Sequence, residues 1–279
     1  MPLSHTAHGL AALLLTCTLA ACSPPESGGT AQSKAGSTSG ANRHIHLVSR
    51  ELSEAISAEA YPAKLRGMQS EGMHIDANAQ EVRQVIQVTA RLINQAEYLF
   101  PHSGQWEWDV HVVENDEVNA WCMAGGKMAV FTGLLQAVDH QEDKLAAVMG
   151  HEMAHALLEH SRRAMGRDLL LSSGLWIASK SLKIGAQRSD QIAEDLSLAF
   201  QPFQRAQERE ADALGLELMA RAGFNLDIGS RIWEDLRKDR MNKGQRRLAA
   251  FYSSHPMDDE RLASMSEHAR QLQRTGVAP

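Results

Sequence analysis

The chain has 279 residues, 43% of them hydrophobic, and a net charge of −6. This length and apolar content suffice for one large packed domain or two small ones. Positive charge is not gathered into a basic patch, so no nucleic-acid partner is expected. The 13 histidines are many for this length and direct attention to metal ligands.

The first 42 residues are predicted to be a targeting segment and a linker that precede the folded domain. Leu10 to Ala21 is an apolar stretch that ends in small residues, as in the core of a signal peptide. Residues 1–21 are therefore interpreted as a signal peptide. Residues 22–42 are rich in Ser, Gly, Pro and Thr and are interpreted as a flexible tether. A single folded domain is predicted over 43–279.

The end of the targeting segment resembles a bacterial lipoprotein signal. The run Leu19–Cys22 (LAAC) is similar to the lipobox, whose cysteine receives lipid and becomes the mature N-terminus. The next residue is Ser23, and the absence of Asp there indicates the outer membrane, facing the periplasm. The expected location is therefore the cell envelope, with a lipid anchor at Cys22. No Lys or Arg precedes the apolar stretch, so either the basic region of the signal is weak or the true start lies elsewhere. The alternative to a lipoprotein signal is an ordinary cleaved signal peptide.

The elements predicted after this segment are mainly helices. Apolar residues repeat at spacings of three and four from near Val48, and most clearly over 79–99. Trp106–Val112 alternates apolar and polar residues and predicts a strand with one buried face. Asn119–Ala124 and Met128–Thr132 flank two glycines and predict a hairpin-like pair of strands. The later apolar patterns predict four helices, over 142–164, 203–222 (with Gly223 as its stop), 228–238 and 258–273.

A metal-binding motif lies within the predicted helix 142–164. His151–His155 (HEMAH) matches H-E-x-x-H, and residues four apart lie about one helical turn apart on nearly the same face. Both imidazoles can therefore reach one ion. Glu152 lies about 100° round the helix from His151, so it stands beside the ion without binding it. That placement suits a carboxylate that takes a proton from water in metal-assisted hydrolysis.

A third ligand is predicted in the helix over 203–222. A catalytic zinc usually has three protein ligands and an open position for water. Glu208 and Asp212 are four residues apart and share one face of this helix. Glu208 is the candidate third ligand, and Asp212 is placed to accept a hydrogen bond from the far nitrogen of a ligand histidine. Taken alone, these carboxylates would form a solvated face with Arg205 and Arg209.

Together these motifs resemble the HtpX-like family of zinc peptidases, and most closely its soluble periplasmic lipoprotein branch. The matching segments stand in the family's order: Asn119–Trp121, Gly125–Gly126, Phe131–Leu135, Gly150–His155, Arg205–Asp212 and Ser254–Pro256. The resemblance covers roughly 51–272. It implies a zincin-like α+β fold, mostly α-helical, with a small β-sheet along the active-site cleft.

The resemblance also assigns roles to the motif residues. It implies that one Zn²⁺ is bound by His151, His155 and Glu208, that Glu152 is the general base, and that Asp212 supports a ligand. It implies an endopeptidase that hydrolyses misfolded or misassembled membrane and periplasmic proteins. The alternative is a chaperone-like lipoprotein that assists outer-membrane protein assembly, together with the assembly machinery, and has gated or minor proteolysis. A purely structural metal site would give no reason for Glu152.

Two further segments allow more than one interpretation. Asn119 and Ala120 are similar to the substrate-binding edge strand of thermolysin-like enzymes, to which peptides add by main-chain hydrogen bonds; the alternative is a core hairpin. The resemblance makes His255 either a fourth ligand that keeps the enzyme latent or a donor to the oxyanion, whereas the simpler interpretation is a surface loop residue. Arg261 is a candidate partner for a carboxylate near the site. His111, His140, His160 and Cys122 are interpreted as non-ligands.

Overall fold

The computed structural model describes residues 47–169, 186–243 and 246–277. In these ranges helices dominate and one small sheet is present, which confirms the predicted α+β class. The predicted signal peptide (1–21), the tether (22–42) and the lipidation site Cys22 lie outside the described residues. Within the described ranges, none of the helices has the length and apolar character that a membrane crossing requires.

The described helices are named in chain order. They are α1 (Arg50–Ser70), α2 (Ala79–Leu99), α3 (Thr132–Ala137), α4 (Glu142–Leu157), α5 (described over 160–169), α6 (Ala186–Arg221), α7 (Leu226–Gly229), α8 (Ile232–Lys243), α9 (Arg246–Ser254) and α10 (Asp259–Thr275). A short 3₁₀ helix at Pro101–Gln105 follows α2. The predictions of α2 and α10 are confirmed, whereas α3 and α9 were not predicted.

Local sequence explains where several helices begin and end. The side chain of Asn78 accepts hydrogen bonds from the first free backbone N–H groups of α2, and Asp258 does the same for α10. At the end of α6, Gly223 has φ +73 and the amide of Phe224 donates to the carbonyl of Met219. This pairing is the Schellman arrangement that the sequence predicted at Gly223.

The predicted helix 142–164 is interrupted. The helix α4 ends at Leu157, Glu159 has a left-handed φ of 59°, and α5 begins at residue 160. A left-handed conformation costs a residue with a side chain about 1–2 kcal/mol. Ion pairs from the Glu159 carboxylate to Arg50 and Arg162 help to hold it in place. The chain therefore changes direction immediately after the H-E-x-x-H motif.

The sheet has three strands, β1 (Asp109–Val113), β2 (Ala120–Met123) and β3 (Lys127–Phe131). The central strand β3 pairs parallel with β1 and antiparallel with β2, with Trp121 opposite Ala129. The predicted hairpin is confirmed as β2 and β3. In the described part of the chain, β2 has a strand partner on one side only. The strand β2 is therefore an edge strand, with one side not paired to another strand of the sheet.

Close packing of α4 against α6 determines the position of the site. Gly150 and Gly215 face each other where the two helices cross, and a Cβ built on Gly215 would lie 2.9 Å from the backbone nitrogen of His151. Only glycine permits backbones to approach this closely. Twelve of the 16 residues of α4 are buried, His151 and Glu152 among them. The two helices that carry the predicted metal motifs are thus held in direct contact.

Candidate metal centre

The helices α4 and α6 bring the three expected ligands together. The Nε2 atoms of His151 and His155 are 3.1 Å apart, as the one-turn spacing on α4 predicts. From α6, Glu208 places Oε1 3.2 Å from Nε2 of His155 and Oε2 3.4 Å from Nε2 of His151. The donor atoms of all three residues therefore point at one small volume.

The fourth residue at this point is His255, which follows α9. Its Nδ1 lies 3.1 Å from Nε2 of His151 and 3.2 Å from Oε2 of Glu208. Only 7% of its surface is exposed, so it is not the surface loop residue of the simplest interpretation. Each of these four residues offers one donor atom, and these atoms lie within 4.8 Å of one another.

The chemistry of this donor set fits a divalent cation. Tetrahedral zinc with nitrogen and oxygen ligands at 2.0–2.1 Å would separate neighbouring donors by about 3.3 Å. The nearest contacts, of 3.1 to 3.4 Å, agree with that value, and the remaining pairs of donor atoms lie within 4.8 Å. Three imidazole nitrogens and one carboxylate converge on one buried point, and these are ligand types that zinc accepts. His151, His155, Glu208 and His255 are therefore able to hold a metal ion.

Glu152 lies beside the donor set and is not part of it. Its carboxylate is buried, and Oε1 lies 3.2 Å from Nε2 of His255. Burial alone would raise the pKa of Glu152, but His255, His151 and His155 lower it below its usual value. For His255 the effects are reversed. Burial alone would lower its pKa, but Glu152 and Glu208 raise it to about 10. Considering the protein groups alone, the ring of His255 is held between two carboxylates.

A buried network of charges supports His151 from behind. The Nδ1 atom of His151 lies 2.9 Å from Oδ1 of Asp212, one helical turn after Glu208. Arg261 of α10 donates to both carboxylate oxygens of Asp212, at 2.6 and 2.7 Å, and its Nη1 lies 2.8 Å from Glu208. Burial would raise the pKa of Asp212, but Arg261 and His151 lower it. The expected pairing of Arg261 with a carboxylate near the site is confirmed.

The sequence analysis missed the surroundings of His155. Nδ1 of His160 lies 2.9 Å from Nδ1 of His155, and Nε2 of His160 lies 3.2 Å from Oε2 of Glu210. Burial and the neighbouring His155 lower the pKa of His160 to about 4, so this ring is neutral. His160 is outside the donor set, as expected for a non-ligand. Its contact with His155 was not foreseen because the break at Glu159 was not predicted.

The donor set opens into a cleft of about 610 Å³. Asn119 and Ala120, at the start of the edge strand β2, line the same cleft as Glu152 and His255. A separate cavity of about 700 Å³, which includes Glu114, contains none of the candidate site residues and is more polar than apolar. The edge strand and the candidate metal centre therefore share one cleft.

The chain is similar to two kinds of named peptidase. It is 34% identical over 161 residues to the mitochondrial metalloendopeptidase OMA1 of Schizosaccharomyces pombe, a match that covers 58% of this chain and 46% of that protein. It is 31% identical over 186 residues to the protein of the same name from Arabidopsis thaliana, with 66% and 36% covered. It is 27% identical over 169 residues to the beta-barrel assembly-enhancing protease of Escherichia coli, with 58% and 34% covered. Each match spans less than half of the relative's length.

These similarities contradict the predicted location. The sequence analysis expected a lipoprotein at the bacterial outer membrane, whereas the relatives from Schizosaccharomyces pombe, Arabidopsis thaliana and Saccharomyces cerevisiae are named as mitochondrial. The prediction was wrong because it depended on the run Leu19–Cys22 and on Ser23. Such a short run records little more than hydrophobicity and small side chains, which is too little to identify a compartment.

The folded part of the chain matches one protein-family model. Residues 76–269 match the model of peptidase family M48, and this region contains all four donor residues and Glu152. The predicted class, a metalloendopeptidase, is confirmed at the level of the family. The finer assignment to the HtpX-like branch is not shown by this match. The chain belongs to peptidase family M48.

Proposed function

We propose that this domain is a zinc-dependent endopeptidase that cleaves unfolded or misassembled protein chains. The observation that carries the proposal is the buried carboxylate of Glu152 beside four converging donor atoms, in a cleft that an edge strand borders. In this proposal His151, His155 and Glu208 bind zinc, and Asp212 fixes the ring of His151. The HtpX-like branch of the family remains part of the proposal, supported by the order of the motifs.

The chemistry divides between the ion and the protein. Zinc bound at such a site polarises the scissile carbonyl and lowers the pKa of water toward about 7. Glu152 takes a proton from the attacking water and later delivers it to the leaving amine. Burial keeps this carboxylate away from bulk solvent, so the proton it accepts is retained for the amine. Asp212, paired with Arg261, keeps the proton of His151 on Nδ1, which leaves Nε2 free to bind the ion.

The edge strand supports the assignment of an extended protein substrate. A peptide that adds to the open edge of β2 forms main-chain hydrogen bonds, which do not depend on its side chains. Ala120, the first residue of this strand, and Asn119 before it line the cleft. A substrate must therefore offer an extended segment with free backbone groups, and unfolded chains do so more readily than folded ones.

His255 supports the further proposal that the enzyme is latent. Its Nδ1 takes the fourth position of the donor set, where water must bind for hydrolysis. Its Nε2 also contacts Glu152, so one ring covers both the ion's open position and the base. The residue must move away before a substrate is cleaved. The alternative role, donation to the oxyanion, would require the ring to turn away from Glu208.

The first test removes the proposed base. Glu152→Gln is expected to retain zinc and the fold but to lose the cleavage of casein, because an amide cannot accept the proton of water. Glu208→Ala is expected to lose both zinc and activity. Zinc content by atomic absorption and casein digestion measure the two properties separately. Digestion by Glu152→Gln at the wild-type rate would contradict the proposed function.

The second test removes the proposed latch. If His255 blocks the site, His255→Ala will cleave casein several-fold faster than the wild type while still binding zinc through the other three ligands. If His255 stabilises the oxyanion instead, the variant will bind zinc equally well and cleave more slowly. The initial rate of casein cleavage, normalised to bound zinc, distinguishes the two roles.

The closed position of His255 also favours a second candidate function. A latent site is compatible with a chaperone-like protein that binds unfolded chains in the cleft and cleaves them rarely. In that case Glu152→Gln would still suppress the aggregation of an unfolded model protein as well as the wild type does. Loss of this suppression in a variant with a blocked β2 edge, such as Ala120→Pro, would assign the binding to the cleft.

A further inference from the structure

We propose that His160 is a positioning residue for His155 and connects this candidate ligand to the carboxylate of Glu210. The inference rests on the proposed function, because it concerns a residue that supports one of the proposed zinc ligands. Three features of His160 support this role: its position beside His155, its two hydrogen-bond partners and its burial.

The left-handed turn after α4 brings His160 to this position. In an uninterrupted helix, residue 160 would lie about 140° round the axis from His155. The chain instead breaks at Glu159, with φ 59°, and the ring centroids of His155 and His160 are 4.9 Å apart, at 76° to each other. Their Nδ1 atoms are 2.9 Å apart, a good hydrogen-bonding distance.

Zinc binding through Nε2 of His155 determines which nitrogen donates and which accepts in each of these hydrogen bonds. A neutral histidine that binds a metal through Nε2 carries its proton on Nδ1. His155 therefore donates to Nδ1 of His160, which must be unprotonated at that atom. The proton of His160 is then on Nε2, which lies 3.2 Å from Oε2 of Glu210 and donates to it. Arg163 donates to the same oxygen from 3.2 Å and holds the carboxylate in place.

Burial makes a purely space-filling role for His160 a poor explanation. Only 3% of the surface of His160 is exposed, and both of its ring nitrogens have partners. An apolar side chain would fill such a position without the cost of burying two polar atoms. Within the described ranges, His160 is also the only group that contacts Nδ1 of His155 by a hydrogen bond.

The two ligand histidines of α4 are thus supported differently. His151 contacts the carboxylate of Asp212 directly, at 2.9 Å, whereas His155 reaches the carboxylate of Glu210 through the ring of His160. Removal of His160 leaves the Nδ1 proton of His155 without this acceptor and the ring free to rotate. The expected consequence is weaker zinc binding, since the loss of a group that orients a ligand typically reduces metal affinity by about 10–100-fold.

The experiment compares two substitutions at residue 160 with a matched control. His160→Phe keeps a ring but removes the acceptor, whereas His160→Asn places an amide oxygen close to the position of Nδ1. His111→Phe is the control, because His111 is partly buried and, like His160, contacts a carboxylate, that of Asp76, outside the site. The zinc dissociation constant is measured by competition with a chelator, and the absorption spectrum of the cobalt-substituted protein reports on ligand geometry.

The expected result is a zinc dissociation constant about 10–100-fold higher for His160→Phe, with a changed cobalt spectrum. His160→Asn should remain within about fivefold of the wild type, and His111→Phe should equal it. Equal zinc affinity and equal cobalt spectra for His160→Phe and the wild type would overturn the inference about His160 without contradicting the proposed zinc site. Equally weak binding by His160→Asn and His160→Phe would overturn it as well. A wild-type protein that binds no zinc would instead overturn the proposed function.

A variant at the half-exposed Glu210 keeps the inference testable if His160→Phe does not fold. The Glu210 side chain is 49% exposed, so its replacement by Leu is compatible with folding. Glu210→Leu removes the acceptor for Nε2 of His160 and should raise the zinc dissociation constant about 3–10-fold. An unchanged dissociation constant would contradict the link between Glu210 and the ligand.

Discussion

Substitution of Gly215 by Ala tests whether the crossing of α4 and α6 sets the geometry of the metal centre. A Cβ at this position would lie 2.9 Å from the nitrogen and 3.1 Å from the Cα of His151. Ordinary contacts begin at 3.4 Å, so relief requires a backbone shift of about 0.5 Å, the difference between 3.4 and 2.9 Å. The obstructing atoms are helical backbone, which cannot rotate away.

The size of this backbone shift determines whether folding stability or zinc affinity decreases more. Overpacking of a core costs about 1–3 kcal/mol, and Ala in place of Gly returns about 1 kcal/mol in a helix. The net loss of folding stability is therefore only about 0–2 kcal/mol. Ligand distances in metal sites, by contrast, hold to within about 0.2 Å. A movement of His151 relative to Glu208 should therefore weaken zinc binding by at least about tenfold.

The matched control is Gly67→Ala in α1, where a Cβ would meet no atom within 4 Å. This variant should gain up to about 1 kcal/mol and bind zinc as the wild type does. Urea denaturation gives the stability of both variants, and chelator competition gives their zinc affinities. If Gly215→Ala behaves like Gly67→Ala in both assays, the close contact between the two helices does not determine the site.

Two further predictions concern buried groups near the cleft. Arg261→Met should lower the free energy of unfolding by about 3–5 kcal/mol, because it leaves the carboxylate of Asp212 buried without its partner. Arg270→Met, which removes an exposed pair from the same helix, should change stability by less than about 1 kcal/mol in the same denaturation assay. Burial raises the pKa of the Cys122 thiol well above its usual value, so alkylation of Cys122 should begin only at higher pH than for a free thiol. Rapid labelling of the native protein at neutral pH, measured by peptide mass mapping, would contradict this burial.

Local patterns explain which parts of the fold the sequence predicted. The helix α2 follows the predicted range Ala79–Leu99, because its apolar spacing and its cap at Asn78 are encoded by neighbouring residues. The H-E-x-x-H motif and the spacing of Glu208 and Asp212 are local in the same way. The two motifs lie on separate helices, and their meeting at Gly150 and Gly215 depends on a contact that periodicity does not reveal.

The unpredicted features depend on residues far apart in the chain. The break at Glu159 is held in part by Arg50, which is 109 residues away, and no helical pattern records that ion pair. The approach of His255 to His151 joins residues 104 apart. The sequence left the role of His255 open for this reason, and the uninterrupted helix predicted over 142–164 gave no reason to expect His160 beside His155.

The distribution of the donors along the chain has a consequence for synthesis. His151 and His155 leave the ribosome well before Glu208, and His255 follows later still. A growing chain therefore lacks the three proposed zinc ligands until α6 has been translated and has docked on α4. Under the proposed function, Glu152 and these three ligands would then come together before His255 exists, so the site would first form without the ring that later covers it.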